Sequence, residues 1–340
     1  MTTLSRKKKK RSLRYSSKKG VVVKFFLAAL ALAHSATALE PFSFERSGGS
    51  TVCGYLTTPK DVDSFPILIL LQGGEKKCIQ QLHLLIEPLA QGLDIGMITL
   101  EKWGNESGND EEQDWETYYL KNTVEQRYCD HAHLMDLLRE GLVPGWDHRI
   151  AWMGGSEGAC LAPYLAPNFP ETSALMIYAG SGARSYYEDS IASVEKTLRK
   201  NTDVAPLCFF SRLLAPVLRD FGWYAEMISA DDDEREHLQE QYEEGEMPTR
   251  QYLSCARMPP LTRFVAATSC PVLCVHGTED EILAVEGADA MVRELQAAGR
   301  DNLTYWRMEG ADHVGIYGEP YFGVQKGFEW LGEVLSSELH

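Results

Sequence analysis

Short, almost wholly apolar runs recur along the chain at Pro66–Leu71, Gly96–Leu100, Ile150–Met153 and Pro271–His276, each bounded by turn residues. Runs of this length that do not alternate with polar positions describe strands covered on both faces. Ala174–Tyr178 and Leu303–Met308 read as further members of the set. Between them the apolar positions recur every three or four residues, which predicts helices over Cys78–Ala90, Asn122–Glu140, Cys160–Ala166, Val285–Ala298 and Gln325–Leu335. Strands alternating with amphipathic helices build a mostly parallel sheet with helices on both faces. Such a sheet presents its ligands at the carboxyl ends of the strands, so the loops just after the apolar runs are where chemistry is expected.

The alternation stops between residues 181 and 268. Helix-like pieces rich in aromatic and acidic residues fill this stretch, including Ser185–Lys200 and the acidic Asp231–Glu246. Unstructured loops of such length are uncommon in a compact domain, and a helical cap inserted into the sheet domain is expected instead. The cap divides the core into residues 39–180 and 269–340. Its aromatics Tyr186, Tyr187, Phe209, Phe210, Phe221, Trp223 and Tyr224 favour an apolar or aromatic group in a pocket below.

The first 38 residues follow a different pattern. A basic head carrying Lys7–Lys10, a run of about 13 residues from Val21 to Ala33 and the small residues Ala36-Thr37-Ala38 make up a signal peptide, with cleavage expected near Ala38. The run falls short of the ~20 residues that span a bilayer, so export to the periplasm or outside the cell is expected, with no stable anchor after cleavage. That segment holds ten of the 33 Lys and Arg side chains and none of the 49 acids, so the mature chain carries 23 bases against 49 acids, about −26. So acidic a body repels nucleic acid and anionic lipid and gives no reason to expect either partner. All eight cysteines lie in the mature part, at 53, 78, 129, 160, 208, 255, 270 and 274. Cys270 and Cys274 stand ~13 Å apart along one predicted strand and cannot pair with each other. No metal-type spacing such as C-x-x-C or H-E-x-x-H occurs, and neither a metal nor an organic cofactor is expected.

The strongest local signal is Gly154-Gly155-Ser156-Glu157-Gly158, directly after an apolar strand and before a run of small residues. In that context G-x-S-x-G is a nucleophile elbow: the serine sits on a sharp strand-to-helix turn and glycines on either side admit the neighbouring backbone. Serine needs a base, and His313 in Gly310-Ala311-Asp312-His313 lies after the last predicted strand. An acid must orient that histidine. The loop His276-Gly277-Thr278-Glu279-Asp280-Glu281 follows a strand on the same rim; Asp280 is preferred, Glu279 is second, and Asp312 stands beside the histidine. Backbone donors for the oxyanion are expected from Glu157 and from Gly74 in Gln72-Gly73-Gly74, which follows the first run. Trp103 and Gly155 are expected near the substrate pocket, an ordinary buried role for Trp103 being equally open. Arg127, Asp130 and His133 share one helix face and read as a salt-linked surface or a layer behind the site.

Together PILILLQGG, AWMGGSEGA, PVLCVHGTEDEI and GADHVGIY resemble the dienelactone-hydrolase and prolyl-oligopeptidase-like branch of the α/β hydrolases. The resemblance runs from about Pro66 to Leu335 apart from the cap. It implies the α/β-hydrolase fold, Ser156, Asp280 and His313 as a triad, and Gly74 and Glu157 as oxyanion donors. Dienelactone hydrolases carry cysteine where this chain has Ser156, and many relatives have His-Gly where it has Gln72-Gly73, so no substrate transfers directly. The expectation is acyl transfer to water from a small-molecule or short-peptide acyl substrate, carboxylesterase activity first. A peptidase or acyl-aminoacyl hydrolase is the second reading, and an inactive binding protein on the same fold the third.

Overall fold

The computed structural model describes residues 39–200 and 249–337, apart from residues 47, 76, 106, 107 and 321. The basic segment 1–38 and the cap aromatics Phe209, Phe210, Phe221, Trp223 and Tyr224 lie outside the described residues, as does the acidic stretch 231–246. Eight strands form one sheet in the order β1-β2-β4-β3-β5-β6-β7-β8. They are β1 (Glu40–Glu45), β2 (Thr51–Thr57), β3 (Phe65–Leu71), β4 (Gly96–Leu100), β5 (Trp146–Gly155), β6 (Thr172–Tyr178), β7 (Val272–Gly277) and β8 (Leu303–Met308). The β1–β2 and β2–β4 pairs are antiparallel; every other pair is parallel.

The central strands are apolar at nearly every position because helices cover both faces. All seven residues of β3 and all five of β4 are buried. Ile67, Ile69, Trp152 and Ile177 point into one core, while Leu68, Leu70, Met153 and Met176 point into the other. This is the strict two-residue period of a strand, read here as apolar on both sides.

Nine described helices connect or flank the strands: α1 (Gln80–Gln91), α2 (Trp115–Lys121), α3 (Val124–Arg139), α4 (Gly158–Leu165), α5 (Tyr186–Lys200), α6 (Thr249–Ala256), α7 (Leu261–Ala267), α8 (Val285–Ala297) and α9 (Gly323–Ser337). Thr123 caps α3 by accepting from Gln126 N at 3.2 Å, and Asp114 caps α2 through Thr117 N at 3.1 Å. α6 packs against α2 and α3, and α7 against α4 and α8, so the last described part of the expected cap lies on the core helices. Among the described residues no helix is long and apolar enough to cross a membrane.

Candidate active site

Strand β5 ends at Gly155 and α4 begins at Gly158, leaving Ser156 and Glu157 to make the turn. Ser156 has φ 55°, the left-handed region that a residue with a Cβ rarely adopts, and its N–H donates to Tyr178 O at 2.9 Å. A side chain at Gly158 would run into the backbone carbonyl of Leu71, and one at Gly154 into that of Gly158. The glycines are there because strand, elbow and helix pass within backbone contact of one another.

The turn after β8 carries His313 to this elbow. Its Nε2 lies 3.0 Å from Ser156 Oγ and its Nδ1 2.8 Å from Asp280 Oδ2. The loop after β7 supplies Asp280, whose other oxygen, Oδ1, accepts from Ile282 N at 2.9 Å and Leu283 N at 2.8 Å. Burial works against its ionisation, but hydrogen bonds from His276 and His313 outweigh it and hold the carboxyl below the ordinary range. Of the competing acids, Glu279 is exposed, and two others have different tasks. Glu281 accepts from His313 N at 3.1 Å, and Asp312 Oδ1 accepts from Gly315 N at 2.6 Å.

The two backbone segments expected to supply oxyanion amides meet at the elbow. The loop after β3 comes so close that a Cβ on Gly73 would stand 3.1 Å from Ser156 Cβ. No protein acceptor is recorded for the N–H of Gly74 or of Glu157 among the described residues. The loop carbonyls, by contrast, are all engaged. Arg127 Nη2 donates to Gln72 O (2.9 Å), Lys102 Nζ to both Gly73 O and Glu75 O (2.7 Å for the latter), and Tyr118 Oη to Gly74 O (3.1 Å). Arg127 Nη1 also pairs with Glu157 Oε1 at 2.6 Å, both side chains buried, and Gln251 Nε2 donates to Glu157 Oε2 (2.6 Å) and Tyr118 Oη (3.0 Å). One buried network therefore joins the two segments from which the amides come.

The remaining expected residues take these places. Gly155 faces Tyr317, whose hydroxyl would lie 2.7 Å from a Cβ added there. Trp103 is buried, with Arg46 3.7 Å and Lys121 5.2 Å from its ring centre, and Arg46 in turn pairs with Asp130 at 2.9 Å. Arg127 and Asp130 thus form buried pairs rather than a solvated surface, and His133 meets Phe44 edge-on at 4.9 Å. His276, fully buried, places Nε2 3.3 Å from Asp280 Oδ2 and 3.1 Å from Leu283 O. Tyr317 closes GADHVGIY, but Lys102, Tyr118 and Gln251 carry no motif. Only their positions near strand ends or in the return of the chain could have marked them. Among the described residues no two cysteines are joined in a disulfide.

The prolyl oligopeptidase family profile matches residues 224–337, a span that includes Asp280 and His313. No curated protein matches the chain. Among solved structures, a 2,6-dihydroxy-pseudo-oxynicotine hydrolase is 19% identical with a TM-score of 0.57, covering 93% of this chain and 73% of its own. An acylaminoacyl peptidase from Pyrococcus horikoshii is 14% identical with a TM-score of 0.57, covering 91% of this chain but 43% of its own. A thermostable carboxyl esterase from Bacillus coagulans is 15% identical with a TM-score of 0.56, covering 88% and 99%. The chain has the α/β-hydrolase fold, and its residues 224–337 are similar to the prolyl oligopeptidase family.

Proposed function

We propose that the chain is a serine hydrolase that cleaves carboxylic esters through an acyl-enzyme on Ser156. The observation that carries this reading is the chain of contacts from Ser156 Oγ to His313 to Asp280, 3.0 Å and 2.8 Å long. His313 takes the hydroxyl proton as Ser156 attacks the acyl carbonyl, and Asp280 stabilises the imidazolium that results. The amides of Gly74 and Glu157 receive the charge on the carbonyl oxygen. His313 then protonates the leaving alkoxide, and water repeats the sequence to release the acid. Export after removal of residues 1–38 belongs to the same reading and rests on the basic and apolar pattern of that segment.

Ester cleavage is the first reading because esterases recur among the similar folds, the Bacillus coagulans carboxyl esterase among them, with 88% of this chain aligned. The family profile keeps an acyl-aminoacyl hydrolase as the second reading. Labelling with a fluorophosphonate probe tests the nucleophile: the wild type is expected to label and Ser156→Ala to remain unlabelled. A panel of p-nitrophenyl esters and aminoacyl anilides then separates the two readings by kcat/KM. A folded wild type that neither labels nor turns over any of these substrates would overturn the proposal.

A further inference from the structure

We propose that Lys102 is a positioning residue for acyl transfer: by holding the Gly73 and Glu75 carbonyls it aims the Gly74 N–H at the oxyanion. The inference rests on Ser156 being the acyl nucleophile. A trans peptide unit points its C=O and N–H in opposite directions. The carbonyl of Gly73 and the amide of Gly74 belong to one such unit, so a donor fixed on the first sets the direction of the second. Lys102 Nζ is that donor, bonded to Gly73 O and, at 2.7 Å, to Glu75 O. The loop needs it because Gly73-Gly74 has no Cβ to restrict its dihedrals, and an unpinned glycine pair can turn its amides away.

The ammonium is also in a costly place. Lys102 is 2% exposed at the end of β4, where an apolar side chain would avoid the desolvation of a charge. Its pKa is lowered to about 8, chiefly by burial; Glu157, Glu75 and Glu101 favour the charged form, and Arg127 opposes it. The Tyr118 ring lies 5.6 Å from Nζ, and its hydroxyl holds the next carbonyl, that of Gly74. A charged donor makes a stronger hydrogen bond than a neutral amine and polarises the peptide it holds. Loss of the Lys102 proton therefore loosens the Gly74 amide and lowers kcat on the alkaline side, with substrate binding largely kept.

The test is steady-state hydrolysis of p-nitrophenyl acetate by the full chain between about pH 6 and 10, with melting temperatures alongside, for wild type, Lys102→Arg and Lys102→Met. The wild type is expected to lose kcat above a midpoint near 8 at nearly constant KM. Lys102→Arg should keep most of the neutral-pH activity and lose that alkaline limb, because a guanidinium stays charged throughout. Lys102→Met should lower kcat roughly ten- to a hundredfold at every pH, with little change in KM. A role confined to stability would move the melting temperature and leave the kcat profile alone. A wild-type kcat that stays flat to high pH, a limb that persists unchanged in Lys102→Arg, or a Lys102→Met enzyme within about twofold of wild type would each overturn the inference. If Lys102→Met does not fold, the first two measurements still decide. Absence of both turnover and fluorophosphonate labelling in the wild type removes the reading of Ser156 itself, whereas normal turnover without Lys102 dependence removes only this inference.

Discussion

Asp280 makes a sharper test of mechanism than Ser156, because its amide has nearly the same shape. In Asp280→Asn the side-chain carbonyl can still accept from Ile282 N and Leu283 N, now at 2.9 Å and 2.8 Å. The amide nitrogen then faces His313 Nδ1 and donates to it. That forces the proton of a neutral imidazole onto Nε2, the nitrogen that must accept from Ser156. The expected outcome is a fall in kcat of roughly 10³–10⁴-fold in a protein that still folds but melts lower, since the His276 contact to the carboxylate is lost as well, read by ester hydrolysis and circular dichroism. A loss below about tenfold would show that His313 works without its acid. Gly155 gives a second test at this scale. The Cβ of Gly155→Ala meets the hydroxyl of Tyr317, the end of a side chain rather than backbone, so Tyr317→Phe should restore part of what Gly155→Ala loses. Because the two groups touch, their effects on kcat/KM are expected to be non-additive, and simple additivity would place Tyr317 outside the site.

Helix α3 and the elbow are joined by the Arg127–Glu157 pair, and the energetics of that joint are those of a buried ion pair. Removing one partner leaves a charge with no counterion in a medium that solvates it poorly. Arg127→Met is therefore expected to cost about 3–5 kcal/mol in urea unfolding, and Arg127→Met with Glu157→Leu distinctly less than the two single changes together. Equal, additive losses would mean that water reaches the pair. Such a joint could not be read from the chain. The spacing of Arg127, Asp130 and His133 pointed to one helix face and left a salt-linked surface and a layer behind the site both open, and Gln251 returns to Glu157 from 94 residues away. Ser156 and His313 were legible because their chemistry is tied to local context: a serine between glycines after an apolar strand, and a histidine after the last one. Asp280 was legible only as a preference among neighbouring acids. What separates it from Glu281 is which way each side chain leaves the loop, a matter of a few backbone dihedrals.

On the scale of the whole molecule, the parallel strands announced themselves by being covered on both faces, while the antiparallel edge did not. β1 is mostly exposed, and β2 is interrupted at Gly54, where a side chain would strike Phe42. Neither is apolar at nearly every position, unlike five of the six strands found from the sequence; the parallel edge β8, with Thr304 and Arg307, is the sixth. The same contrast between covered centre and wet edge governs pH stability. Burial raises the Glu101 carboxyl from 4.5 to about 7, opposed by its hydrogen bond from Ile79 N. Between those values the folded protein keeps a proton that the unfolded chain has released, so this contribution is complete at low pH and is lost as pH rises through about 7. His83 and His131 run the other way. Burial lowers both to about 4, and their contribution is lost as pH falls from 6.5 towards that value. The opposed slopes mask each other in a melting curve of the wild type alone, so the informative quantity is a difference. Glu101→Gln keeps one oxygen for the Ile79 amide and cannot ionise. It should begin below wild type near pH 5 and gain on it up to about pH 8, by on the order of 2–3 kcal/mol in chemical unfolding. Parallel stability curves for the two proteins would mean that Glu101 is ionised throughout and that water, not protein, surrounds its carboxylate.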